Sequence, residues 1–154
     1  MNDHKLMPFH YEHLKLMDMR EYEKVNIYPY LTQSFLDYCS TNMYNYTAVK
    51  DGRIITCVGF LPLWDGVFDV WQIPSIYVQD HVLEYAKTMR RYICDIAKEL
   101  KAHRIQSSCP ANELHDRWME FLGFKCEGTM AKYNRFKIDY RIWSRIWEQM
   151  PAQQ

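Results

Sequence analysis

Glycine and proline are scarce in this chain, five and six of 154 residues, together 11 or about 7%, against roughly 12% in ordinary globular chains. That scarcity excludes collagen-like, low-complexity and linker-dominated architectures. Charge of one sign is also missing: Lys and Arg total 19, Asp and Glu total 19, and the formal net charge is zero. No long-range field draws such a chain to a polyanion or an acidic membrane. A nucleic-acid partner and a membrane partner are therefore not expected, and a protein partner or self-association is. No apolar run approaches the roughly 20 residues that cross a bilayer, and Met1-Asn2-Asp3-His4-Lys5 leads into no signal-peptide core. A cytoplasmic location is the expectation. The five cysteines, at 39, 57, 94, 109 and 126, form no CxxC pair, which excludes a disulfide scaffold and a zinc ribbon.

What the chain has in excess is rings and thioethers: seven Phe, five Trp, twelve Tyr and nine Met. A core of this size needs fewer, and Tyr, Trp and Met are enriched where proteins meet partners. The length suits one domain, taken as residues 1–154, because halving it leaves each part too small to bury a good core.

The clearest element is a helix over His81–Lys101. Val82, Ala86, Met89, Ile93, Ile96, Ala97 and Leu100 recur at three- and four-residue steps, with Lys87, Arg90, Arg91, Asp95 and Lys98 facing away. Asp80 is the expected N-cap, with Glu84 in the first turn. Before it, Tyr44–Lys50, Arg53–Leu63 and Val67–Val78 read as strands separated by Asp51-Gly52 and by Trp64-Asp65-Gly66, an antiparallel meander. Tyr11–Leu16 reads as a strand, and Arg20–Tyr30 and Leu31–Thr41 as helical segments broken around Pro29. Downstream, Arg104–Cys109 reads as a strand and Asn112–Phe121 as a short helix stopped by Gly123. Lys125–Tyr133 and Phe136–Trp147 read as final strands, the second of which also fits a helix towards its end.

This order, together with Asn112, Leu122, Gly123 and Phe124, resembles the GNAT superfamily of N-acetyltransferases. The family segment N-x-x-A-x-x-L-Y-x-x-L-G-F is matched in spacing from Asn112 to Phe124, and Glu127-Gly128 continues as the family does. The resemblance implies an α+β fold with a mixed, mostly antiparallel sheet of about six or seven strands and helices on both faces. It also implies acetyl-CoA as cofactor if the protein is active, with Ile76, Tyr77, Val78, Gln79 and Asn112 at the cofactor and Tyr77 or His81 as catalytic substitutes. In the family the turn into the central helix reads Q/R-x-x-G-x-G/A. Its backbone amides approach the pyrophosphate there. Here the turn is Tyr77-Val78-Gln79-Asp80-His81-Val82-Leu83-Glu84, with no glycine, no Arg or Lys and two carboxylates. The position of the family's frequent general acid, a Tyr, holds Met119, which moves no proton.

With that turn, the Trp118–Phe124 segment and the aromatic composition, the chain also resembles small acetyltransferase-like proteins of short-tailed bacteriophages, described as internal virion or head-assembly proteins. The reading that follows is a GNAT-fold protein with a degenerate cofactor turn, no cofactor, and a role by protein contact in a virion or its assembly, located in the host cytoplasm or the virion. An active acetyl-CoA-dependent N-acetyltransferase is the alternative, and a phage-encoded inhibitor of a host protein is a second. Tyr140, Trp143 and Trp147, interleaved with Arg135, Arg141 and Arg145, are the expected partner-binding residues. His10, Glu12 and His13 lack a recognisable metal-site spacing, so no metal is assigned. Cys109 with His103 or His115 has no local nucleophile signature, and the Asp65/Asp69 pair carries no catalytic reading.

Overall fold

A computed structural model of the chain describes residues 4–27, 31–41 and 44–148. Seven strands form one sheet in the order β1-β2-β3-β4-β5-β7-β6. They are β1 (His4–Pro8), β2 (Asn45–Lys50), β3 (Arg53–Trp64), β4 (Val67–Pro74), β5 (Arg104–Pro110), β6 (Lys125–Met130) and β7 (Tyr140–Ile146). The helices are α1 (Glu12–Leu16), α2 (Glu21–Ile27), α3 (Gln33–Thr41), α4 (Val82–Glu99) and α5 (Glu113–Phe121). β1–β2, β2–β3, β5–β7 and β6–β7 pair antiparallel, and β4–β5 is parallel over Val67↔Arg104 to Asp69↔Gln106. The architecture is thus the mixed, mostly antiparallel α+β arrangement that the element order implies.

The chain packs as two compact units, Met1–Phe60 with Trp71–Val82, and Leu61–Val70 with Leu83–Gln154. In the first, β3 is buried continuously from Ile55 to Phe60, the pattern of a strand covered on both faces. Gly59 is required there: a Cβ would lie 1.7 Å from Asn45 Oδ1, which accepts from Trp71 Nε1 at 3.0 Å. Phe9 and Phe35 meet the edge of the Trp71 ring, with centroids 5.2 and 6.0 Å away. In the second unit, Met89, Ile93, Ile96 and Ala97 of α4 are buried, as are Ile105, Met119, Leu122, Phe124 and Trp143.

Four expectations change. Tyr11–Leu16 is not a strand: α1 occupies Glu12–Leu16, and the buried pair Leu14 and Met17 has helical i,i+3 spacing. The strand that pairs with β2 is β1, which ends in Pro8 and lies at the sheet edge, where a missing N–H is tolerated. β4 ends at Pro74, and a 3-10 segment, Ile76–His81, leads into α4. Asp80 lies inside that segment and Ser75 is its N-cap. The final strands are shorter than expected, and residues 131–139 form a loop between them. The break expected around Pro29 lies outside the described residues. No helix among the described residues is long and apolar enough to cross a membrane.

Candidate functional site

The turn that leads into α4 is built from inside the chain. Buried Met17 and Met19 flank Asp18 and leave it exposed. The Asp18 carbonyl accepts from Ile76 N at 2.8 Å. Ser75, 2% exposed, takes the next two amides: its Oγ accepts from Tyr77 N at 3.2 Å and its carbonyl from Val78 N at 3.3 Å. Beyond them the backbone continues as 3-10 helix, whose amides bond three residues back. A helix start that binds an anion needs amides pointing outward without partners. The amides of Ile76, Tyr77 and Val78 all have intramolecular acceptors.

The side chains of the turn are engaged as well. The Tyr77 hydroxyl donates to Asp18 Oδ2 at 2.7 Å, and this bond holds the phenol above its usual titration range. Arg53 lies over the Tyr77 ring, 4.7 Å from its centroid. With its carboxamide oxygen turned toward the guanidinium, Gln79 accepts from Arg20 Nε at 3.0 Å and Nη2 at 2.7 Å. His81 closes the segment half-buried, and Asp80 and Glu84 are exposed. Of the residues expected at a cofactor, Ile76 to Gln79 therefore share one turn, with Asp18, Arg20 and Arg53 as partners that local sequence gave no means of finding. Asn112 belongs to the other unit. It is the N-cap of α5, its Oδ1 accepting from His115 N at 3.0 Å and lying 2.8 Å from His115 Nδ1.

Asp69 on β4, to which the sequence assigns no catalytic reading, stands apart from Asp65. Burial pushes its carboxyl up to about 6, and no hydrogen bond or ion pair to it is found among the described residues. It is level with Gln106 in the parallel β4–β5 register. Gln106 Oε1 accepts from Arg104 Nε at 2.9 Å, and Arg104 Nη2 reaches Glu127 at 2.6 Å. The signal available in sequence was a single carboxylate within the otherwise apolar run Val67-Phe68-Asp69-Val70-Trp71.

No hydrogen bond joins Cys109 to His103 or His115 among the described residues. Cys109 is pushed up to about 12, chiefly by burial and then by Asp116, so its thiol stays protonated. His10 N donates to His13 Nδ1 at 3.1 Å, and the same nitrogen lies 2.7 Å from Thr47 Oγ1. No group of three His, Cys, Asp or Glu that could hold a metal occurs among the described residues.

The aromatic partner residues divide. Trp143, expected at the surface, is 3% exposed and belongs to the core of its unit. It shares a face of β7 with Arg141 and Arg145, whose guanidiniums reach Asp116 of α5 and the Leu122 carbonyl that follows it. Tyr140 and Trp147 are half-buried, Trp147 beneath the Arg145 guanidinium, 5.1 Å from the ring centroid. The exposed rings nearby are Tyr133 and Phe136, 55% and 46% exposed.

No protein-family model matches this chain, and no curated protein matches its sequence. Solved structures do match its fold. Ard1 from Thermoplasma volcanium aligns over 95% of this chain and 99% of that one, with TM-score 0.75 and 9% identity. An acetyltransferase of the GNAT family from Bacillus anthracis aligns over 93% and 94%, with TM-score 0.68 and 15% identity. The putative acetyltransferase yncA from Salmonella typhimurium, determined with its cofactor acetyl-CoA, aligns over 70% of this chain and 66% of that one, with TM-score 0.58 and 14% identity. The fold of the chain is that of the GNAT acetyltransferases.

Proposed function

We propose that this is a GNAT-fold protein whose cofactor turn is closed to a diphosphate and which acts by protein contact. The supporting observation is the turn itself. The amides of Ile76, Tyr77 and Val78 are satisfied by Asp18 and Ser75. Those amides precede Gln79–Glu84, the segment level with the family's Q/R-x-x-G-x-G/A turn, where the lack of glycine and the carboxylates of Asp80 and Glu84 oppose close approach of a diphosphate. The residues of Gln79–Glu84 thus do not fit the pyrophosphate of acetyl-CoA. A place in a bacteriophage virion or its assembly is part of the same proposal and rests on the Trp118–Phe124 resemblance. Thermal-shift titration with acetyl-CoA tests it: no stabilisation is expected at millimolar concentration. A ligand present at 100 times its dissociation constant would add about 2.7 kcal/mol, and a shift of that size overturns the reading. Replacing Asp80 by Gly and Glu84 by Lys is expected to strengthen whatever binding remains.

One observation favours the alternative, an active acetyl-CoA-dependent N-acetyltransferase. A half-buried carboxyl raised by burial to about 6 on β4 has a pKa suited to a general base near neutral pH. Acetyl transfer that disappears in Asp69→Asn while the fold persists would establish that alternative.

A further inference from the structure

The loop between β6 and β7 is more ordered by its own bonds than a surface connection needs to be. Asn134, 9% exposed, sits at its centre, and its Oδ1 accepts from Phe136 N at 3.0 Å and Ile138 N at 2.9 Å. Lys137 N donates to the Asn134 carbonyl and Tyr133 N to the Ile138 carbonyl, both at 2.9 Å. Asp139 Oδ1 accepts from Lys132 N at 2.8 Å, and Ala111 N donates to the Asp139 carbonyl at 2.9 Å.

On this frame the exposed positions are Lys132, Tyr133, Arg135, Phe136 and Lys137. Lys132 and Lys137 stand at φ 50° and 61°, a left-handed backbone that glycine adopts without steric cost and asparagine more readily than lysine. The sequence keeps a cationic side chain at both places in spite of that cost. Strain held by surrounding bonds is a reason to look for function at the strained residue. Neither lysine is in an ion pair among the described residues. The one carboxylate of the loop, Asp139, is turned onto backbone. A chain with no net charge thus places Lys132, Arg135 and Lys137 within six residues, against the single carboxylate of Asp139. Each exposed ring already has a neighbour: the Arg135 guanidinium is 5.1 Å from the Phe136 centroid, and the Tyr133 and Tyr140 centroids are 5.0 Å apart. Rings with such neighbours offer less to a nucleobase, which binds by stacking, than to a carboxylate-bearing surface that meets the cations and packs on the ring edges.

We propose that residues 131–139 form a docking finger for an acidic protein segment. The inference rests on the contact reading above, to which it gives a surface and a partner chemistry. Its test contains no acetyl-CoA, so it can fail while the outcome of that titration stands.

The probe is a fluorescein-labelled twelve-residue peptide of alternating Glu and Ser, compared by anisotropy with a Gln/Ser peptide and with single-stranded oligo-dT. The full chain is expected to bind the acidic peptide, not the neutral one, and to lose affinity as salt rises. Lys132→Gly with Lys137→Gly removes two charges and relieves the left-handed backbone. That variant is expected to keep or raise its melting temperature while weakening peptide binding about tenfold. Lys132→Asn with Lys137→Asn, which also tolerates that backbone, should behave alike. Absence of acidic-peptide binding, unchanged binding in both variants, or tighter binding of oligo-dT than of the peptide would each overturn the proposal.

Discussion

At the scale of single residues, burial decides what sequence leaves open. Asp65 and Asp69 are four apart and look equivalent, yet Asp65 is exposed in a turn while Asp69 is half-buried in β4 with its carboxyl raised from 3.8 to about 6. The folded chain therefore holds a proton on Asp69 at a pH where the unfolded chain has released it. Stability falls as pH rises from about 4 to about 6 and stays reduced above that, by up to about 3 kcal/mol. Asp69→Asn removes the ionisation and should stabilise the protein at pH 7.5 while leaving it near wild type at pH 4. Urea denaturation at the two values checks this, and equal effects at both would mean that the carboxyl is not held protonated. His13 moves oppositely: burial lowers its pKa, so its share of stability is lost as pH falls below the ordinary histidine range. Trp143 shows the same limit of sequence. Alternation along Tyr140–Ile146 says that neighbours face opposite sides, but not which side carries α5. Among those residues the buried ring is Trp143.

Whole elements were legible where their pattern was long. The 18 residues of α4 carry several turns of apolar repeat, and the meander strands end at turns where Asp51, Gly52 and Gly66 take positive φ. A five-residue helix such as α1 offers too few turns to distinguish a period of 3.6 from one of 2. The 3-10 segment was hidden because Val67–Val78 reads as one strand through Pro74, and the serine that caps the segment has no signature of its own. The Asn112–Phe124 spacing does specify a capped helix with a stop. Gly123 has φ 88°, and a Cβ there would lie 3.2 Å from Arg145 Cζ, whose guanidinium donates to the Leu122 carbonyl. Gly123→Val combines a β-branched residue with that backbone and crowds Arg145 off its carbonyl. It should cost about 2 kcal/mol or more, read as a lower denaturation midpoint. A change under about 0.5 kcal/mol, the range of ordinary surface substitutions, would show that the stop does not need glycine.

For the molecule as a whole, the two units are not the two halves of the chain. The first unit needs Trp71–Val82, which comes after the Leu61–Val70 segment that belongs to the second. Trp71 supplies the indole that Asn45, Phe9 and Phe35 meet, Ser75 N donates to Ile55 O, and Tyr77 holds Asp18. A fragment of residues 1–60 lacks the Trp71–Val82 side of these contacts and leaves apolar β3 without its neighbour β4, so it should be unfolded and aggregation-prone. A fragment of residues 61–154 contains every segment of the second unit, including the β4–β5 pairing and the α4–α5 stack of Tyr85 on Trp118. It should retain helical and sheet circular dichroism and a cooperative melt, at a lower temperature than the full chain because a smaller core buries less apolar surface. Mixing the two should restore structure in the first. Should 1–60 fold alone, its core would not depend on Trp71–Val82. Should 61–154 be unfolded, the second unit would not fold on its own, and its compactness would be a property of the intact chain only.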